Sequence, residues 1–207
     1  MPHLLADIGG TKTLLSLVDD QLQTIHSARF KNQSLPSFEA LLESFLAPYS
    51  RNENQLAIIA VAGPVQDGVR CQMTNLDWLI ESQTLTQQFN FERAVLMNDL
   101  QATAWGMTAP AISEELCMVR GNAVDFQRNV AVISPGTGLG EACIIPQQKT
   151  FSVIGSEGGH KTIAPFNRLT AQLISQQWQR FDRPLSRENW FSGSGLNKLY
   201  TALFPDD

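Results

Sequence analysis

Apolar residues recur at two different periods along this chain, and the switches between the periods mark its elements. Apolar positions over His3–Ile8, Thr13–Val18 and Gln23–Phe30 predict three strands joined by tight connections. Ser34-Leu35-Pro36-Ser37 then supplies an N-cap and an early proline. Behind it, Phe38, Leu41, Leu42, Phe45 and Leu46 fall at helical spacing, so an amphipathic helix should run to about Pro48. Leu56–Ala62 is a short continuous apolar run, as in a strand buried on both faces, and Val69–Thr74 alternates as if pairing nearby. Ser82–Phe89 reads as a helix, Arg93–Met97 as a further buried strand, and Asn98–Met107 as a helix ended by Ala109-Pro110.

A second unit begins near there. Leu116–Val119, Asn129–Ile133 and Glu141–Ile145 read as strands, Asn167–Phe181 has a helical period, and Leu196–Phe204 is a closing helix capped by Ser194. Strands first, then helices mixed among strands, predict an α/β fold of two lobes. The boundary is expected near 108–113, giving lobes of residues 1–110 and 111–207. No internal repeat or low-complexity segment interrupts this pattern.

Composition narrows the classes. With 43% hydrophobic and 17% charged residues over 207 positions, the chain can bury a real core. The net charge is −5 and no Lys/Arg run occurs, which argues against nucleic-acid and anionic-membrane partners. A polyanionic small ligand stays open, because backbone N–H groups and a metal hold phosphates without a basic protein. Cys71, Cys117 and Cys143 are widely spaced and read as small core residues in a reducing compartment. The apolar start, interrupted by Asp7, is too short for a signal peptide, and a cytoplasmic location is expected.

Four segments carry candidate chemistry. Asp7-Ile8-Gly9-Gly10-Thr11-Lys12-Thr13 lies between two strands, where a glycine pair lets backbone approach an anion. Asp7, at a strand end, suits Mg²⁺ held through water. Taken alone the segment is equally a simple hairpin. Ser134-Pro135-Gly136-Thr137-Gly138-Leu139-Gly140 is a second such turn; its glycine spacing and the strand behind it exclude a dinucleotide fingerprint. Together the two turns describe a nucleotide held by a pair of hairpins. Asn98-Asp99 ends a strand and starts a helix; capping explains one of the pair, and a carboxylate there is placed to accept a hydroxyl proton. Gly155-Ser156-Glu157-Gly158-Gly159-His160 sets carboxylate and imidazole three residues apart, suited to vicinal hydroxyls, with a metal site or a surface loop as rivals. Two weaker stretches are Ala62-Gly63-Pro64-Val65 with Thr74-Asn75-Leu76-Asp77-Trp78, and Glu188-Asn189-Trp190 ahead of Ser192-Gly193-Ser194-Gly195. Trp78 and Trp190 are expected in the core.

This ordered series, Asp7–Thr13, Gly63-Pro64, Thr74-Asn75 with Trp78, Asn98-Asp99, Gly136–Gly140, Glu157–His160 and Ser192–Gly195, resembles the bacterial glucokinases along essentially the whole chain. The resemblance implies the two-lobed sugar-kinase/actin-like (ribonuclease H-like) fold, with ATP and a hexose between the lobes. It also implies transfer of phosphate from MgATP to the 6-hydroxyl of glucose, feeding glycolysis. By matching position, Asp99 is implied as the catalytic base. Asn75, Asn98, Glu157, His160 and Glu188 are implied as ligands of glucose or a similar hexose. The implied phosphate grips are Gly9, Gly10 and Thr11 with Lys12 beside them, and Gly136, Thr137 and Gly138. A homodimer is what the family suggests.

Lys161-Thr162-Ile163-Ala164-Pro165 stands where the related repressor/open-reading-frame/kinase group carries a Cys-rich zinc motif, so no structural zinc is expected. Family members continue past the equivalent of Asp207 with a further adenosine-binding turn, so the fold is expected to be incomplete at its C-terminus. A non-catalytic sugar-binding relative, an actin-like ATPase and a kinase for another hexose are the rival readings.

Overall fold

The alternating start of the chain folds as an antiparallel ribbon, β1 (His3–Ile8), β2 (Lys12–Val18) and β3 (Thr24–Lys31), with Ile8 opposite Thr13 across the first turn. The computed structural model describes residues 2–49, 55–73, 76–110, 112 and 116–204. The chain divides into two compact units, Met1–Ala102 and Thr103–Asp207.

In the first unit, β4 (Gln55–Val61) pairs parallel to β1, and β8 (Phe91–Asn98) pairs parallel to β4, giving the order β3-β2-β1-β4-β8. The first parallel crossover carries α1 (Phe38–Leu46). Its helical-period residues Phe38, Leu41, Leu42, Phe45 and Leu46 are all buried, in one cluster with Leu4, Ile8, Leu15, Ile59 and Leu96. The cap of α1 is Ser37, whose side chain accepts the Ala40 N–H at 3.2 Å. Pro36 therefore precedes the cap instead of opening the helix, and Asn32–Ser34 forms a short 3₁₀ turn.

The second crossover holds a small antiparallel sheet, β5 (Val65–Gln66), β6 (Arg70–Gln72) and β7 (Leu79–Glu81), followed by α2 (Ser82–Phe89). Asp67 and Gly68, both at positive φ, turn β5 into β6, the favoured hairpin chemistry. Trp78 is buried in the main cluster, as expected. The β4 run is not buried on both faces. Ala57, Ile59 and Val61 are fully covered while Leu56 and Ile58 are 37% and 40% exposed, because the main cluster gathers on a single face of this strand.

The second unit contains an antiparallel meander of β9 (Val130–Pro135), β10 (Leu139–Pro146) and β11 (Phe151–Ser156), in the order β11-β10-β9. Helices α4 (Arg168–Phe181), α5 (Arg187–Phe191) and α6 (Gly193–Leu203) follow. Leu173, Leu185 and Trp190 form the buried cluster among these helices, which places Trp190 in a core as expected.

Three expectations change here. Leu116–Val119 is not a strand: it pairs with no described strand, and Val119 is 94% exposed, since a lone apolar tetrapeptide without a ladder partner gains nothing from extension. Cys117 is exposed with it, and Cys143 is only partly covered, so Cys71 alone is a buried thiol, its pKa raised by desolvation. The last helix starts at Gly193 and is capped by Ser192, not Ser194; Ser192 Oγ accepts the Gly195 N–H at 3.3 Å.

Candidate active-site residues in the two units

Asp7 is the penultimate residue of β1 and Asn98 the last of β8, and these two strands flank β4 in the parallel part of the sheet. In register, Ile8 lies beside Val61 and Val61 beside Asn98, so Asp7, Gly63 and the Asn98-Asp99 pair come together at the carboxyl edge of three adjacent strands. Open α/β sheets bind ligands beyond this edge, where strand ends meet loops and helix N-termini. Asn98 Nδ2 donates to the Gly63 carbonyl at 3.3 Å, joining two of these connections directly.

Asn98 and Asp99 both serve the start of α3 (Asp99–Met107). The Leu100 N–H donates to Asn98 Oδ1 at 3.0 Å and to Asp99 Oδ1 at 2.8 Å. Capping thus engages both residues, where one was expected. Asp99 remains solvent-exposed. Its charge reaches Asp7: the Asp7 carboxyl titrates above the ordinary aspartate range, first because neighbouring protein strips it of water, then because Asp99 repels its ionised form, with Arg29 opposing. A perturbed carboxylate beside a second one at a sheet edge marks a candidate site.

The first glycine turn closes with Gly9 donating its N–H to the Lys12 carbonyl at 2.9 Å, so that N–H shapes the turn. Thr11 and Lys12 are exposed at its tip, next to Gly10. Holding the turn from inside is Asn32, which has no exposed surface. Its Nδ2 donates to the Gly9 carbonyl at 2.8 Å, its Oδ1 accepts from Thr13 Oγ1 at 2.8 Å, and its N–H donates to the Thr11 carbonyl at 3.0 Å. Sequence reading missed Asn32. The only trace was a polar residue directly after an alternating strand. Asn75 lies outside the described residues.

The second unit gathers the other candidates. The turn between β9 and β10 is closed by Gly136 donating to the Gly138 carbonyl at 2.8 Å, and the Gly193 N–H donates to the Gly136 carbonyl at 2.8 Å. Glu188, on α5, reaches this turn: its Oε2 accepts the Leu139 N–H at 3.1 Å, and the space a Cβ on Gly138 would fill is taken by the same carboxylate. The Glu157–His160 loop packs on the same strand. A Cβ on Gly159 would overlap the Leu139 carbonyl, and one on Gly158 would overlap the Glu141 carboxylate. These glycines therefore permit close packing, and the loop is not a loose surface segment. At its rim, Glu157 Oε2 and His160 Nε2 lie 3.4 Å apart, both largely exposed. Gly136–Gly138, Glu157, His160 and Glu188 are thus brought together within one unit. Sequence reading passed over the partners Glu141 and Arg187, because neither sits in a glycine-rich motif.

Among the described residues, no group of three or more His, Cys, Asp or Glu side chains is arranged to hold a metal ion, and no helix is long and apolar enough to cross a membrane.

The family described as Glucokinase matches residues 4–207. The glucokinase of Saccharophagus degradans is 30% identical over 211 residues, covering 98% of this chain and 63% of that protein. The crystal structure of a glucokinase from an Antarctic psychrotroph aligns with a TM-score of 0.80 at 30% identity, over 98% of this chain and 64% of the other. A ROK family glucokinase from Streptomyces griseus, in complex with glucose and AMPPNP, shares the fold at a TM-score of 0.57 and 24% identity, over 100% of this chain and 63% of its own. The chain spans less than two thirds of the length of each of these proteins. With a matching family model over nearly all of its residues, the chain belongs to the glucokinase family.

Proposed function

We propose that this chain carries the hexose-binding and proton-accepting part of a glucokinase, which transfers the γ-phosphoryl group of ATP to the 6-hydroxyl of glucose. The observation that carries this reading is the meeting of Asp7, Gly63, Asn98 and Asp99 at the carboxyl edge of three parallel strands, beside the first glycine turn. The glucose and AMPPNP in the Streptomyces griseus structure support the choice of ligands at the level of fold.

Phosphoryl transfer depends mainly on positioning and on neutralising charge. Asp99, exposed at its helix start, accepts the proton of the attacking hydroxyl. Asn98, fixed by Gly63, holds the same sugar through its amide, and Asn75 is assigned to a further hydroxyl. Glu157 accepts from two hydroxyls, with His160 and Glu188 completing the sugar contacts. Gly9, Gly10, Thr11 and Lys12 in one turn, and Gly136, Thr137 and Gly138 in the other, approach the phosphates. Asp7 and Asp99 offer oxygen donors only, which fits Mg²⁺, and Asp7 is the residue that would hold it, through water. When bound, Mg²⁺ screens the phosphate charge. Asp7 itself contributes an oxygen acceptor at the strand end, and the exposed turns keep their backbone near the phosphates. The protein acts in the cytoplasm and works as a homodimer.

Glucose phosphorylation by wild type and Asp99→Ala, read with a coupled assay alongside glucose titration, tests the assignment. The expected result is loss of at least about 10²-fold in turnover, the range for a general base, with glucose binding retained. Wild-type turnover that persists in Asp99→Ala removes Asp99 from the mechanism. Glucose binding without nucleotide binding, measured separately, supports a sugar-binding relative instead.

A further inference from the structure

Glu141 and Arg187 meet between the glycine turn and the Glu157–His160 loop. Glu141 is the third residue of β10, just past the turn. Its Oε1 accepts from Arg187 Nη1 at 3.4 Å, while its other carboxylate oxygen lies against Gly158 at the centre of the loop. Arg187 opens α5, and its backbone N–H donates to the Lys161 carbonyl at 2.8 Å, directly behind the loop. The next residue, Glu188, holds Leu139 in the turn. Thr162 and Ser186 add an antiparallel bridge beside these contacts. Two consecutive residues of one short helix therefore grip both segments.

We propose that Glu141 and Arg187 form a positioning pair that ties the glycine turn to the Glu157–His160 loop, so that the two segments order together. The functional meaning of this coupling rests on reading those segments as phosphate and sugar sites. Neither residue is among those assigned to phosphate or sugar. Its carboxylate is only 20% exposed, packed on Gly158, and Arg187 is the cation that faces it. Removing the cation leaves an unpaired acid pressed on loop backbone. Removing the acid frees Arg187 from β10, so that α5 holds the loop while its grip on the strand loosens. Because Arg187 is 44% exposed, the effect is a few-fold and not an all-or-none loss.

Hydrogen exchange on the ligand-free 207-residue chain tests the tie, with Glu141→Gln, Arg187→Gln, the double variant and Arg187→Lys. Either neutral variant should speed exchange about two- to fivefold in both segments, 136–141 and 157–161. The double variant should do no more than either single one, Arg187→Lys should stay near wild type, and β1 and β4 should not respond. Acceleration confined to the segment carrying the substitution overturns the proposal. So do effects that multiply in the double variant, acceleration spread evenly over the second unit, or a Lys variant that behaves like Gln. Glucose titration with and without MgAMPPNP adds a readout that packing alone does not move. Nucleotide analogue should sharpen wild-type glucose binding, and Glu141→Gln should bring that enhancement toward one. A wild type that binds no glucose defeats the sugar-site reading, while the exchange data still decide the tie.

Discussion

In the first unit the glycine turn Gly9–Lys12 is braced by Asn32, a neutral amide with no exposed surface. In the second unit the turn Gly136–Gly140 is braced by the Glu188 carboxylate, from a five-residue helix. The surroundings differ in the same sense. The Asn32 brace belongs to a unit whose sheet and α1 share one continuous apolar cluster. The Glu188 brace belongs to a unit whose helices, among the described residues, bury a cluster of Leu173, Leu185 and Trp190, while Phe166, Leu169, Trp178, Leu196 and Tyr200 are each more than half exposed. A neutral amide can be buried when every polar atom finds a partner, whereas a carboxylate pays a large desolvation cost and stays near water. The first turn is therefore held from inside by a fully covered amide, and the second by a half-buried carboxylate at the end of a side chain.

The strongest way to break the contrast is at Asn32. Asn32→Ala removes the brace, leaving Thr13 Oγ1 buried without its acceptor and the half-buried Gly9 carbonyl without this donor, at a cost of about 2–3 kcal/mol. Denaturant unfolding followed by a probe in the first unit should show that drop in midpoint. A loss under about 1 kcal/mol would mean that the turn holds its own shape. Glu188→Gln keeps an acceptor for the Leu139 N–H and should leave stability nearly unchanged, sharpening the difference between the two braces.

Next in size is Gly159→Ala. The new methyl group would overlap the Leu139 carbonyl, a backbone atom of β10 that cannot swing aside, so overpacking costs about 1–3 kcal/mol in the second unit. Gly138→Ala meets only the end of the Glu188 side chain, which can rotate away. It should cost less in stability than Gly159→Ala and be felt mainly in ligand binding. Equal losses from the two would show that Glu188 is as fixed as backbone. Smaller still are the helix caps. Ser37→Ala in the first unit and Ser192→Ala in the second should each cost about 1 kcal/mol, read from thermal unfolding.

These sites also divide by how readable they were. The alternating strands and the helical spacing of Phe38, Leu41, Leu42, Phe45 and Leu46 were legible, because one buried face imposes a period on the sequence. Asp7, the glycine turns, Asn98-Asp99 and Glu157–His160 were legible because strand ends and glycines punctuate the chain there. Asn32 was not, since its role comes from three partners brought close by pairing of β2 with β3, which no local pattern encodes. Strand β11 was missed because Gly155 and two serines dilute its apolar alternation. Leu116–Val119 failed in the opposite direction: local composition favoured a strand, and no neighbouring strand was there to pair with it. Helix α5 was missed because five residues carry barely one helical repeat.

The smallest effect concerns the charge at the edge of the first unit. The Asp7 carboxyl titrates above its ordinary value of 3.8 in the folded chain, through lost hydration and then Asp99, so its ionised form is less welcome in the folded state than in the unfolded one. Whatever this group adds to stability is fully present below pH 3.8 and is lost as pH rises through the folded-state pKa. Asp7→Asn cannot ionise and escapes that loss. The unfolding temperatures of wild type and Asp7→Asn should diverge as pH rises from about 3 to 6, with the variant the more stable at neutral pH. Solvent access around Asp7 keeps the gap below about 1 kcal/mol. Asp99→Asn should shrink the gap by removing the repelling charge, and Arg29→Gln should widen it by removing the compensating one. Added Mg²⁺ should narrow the gap by stabilising wild type and not Asp7→Asn, as expected if Asp7 keeps an uncomfortable charge in order to hold the ion that accompanies ATP. A gap already present at pH 3 would mean that the asparagine acts through packing, and the carboxylate would lose its claim to that role.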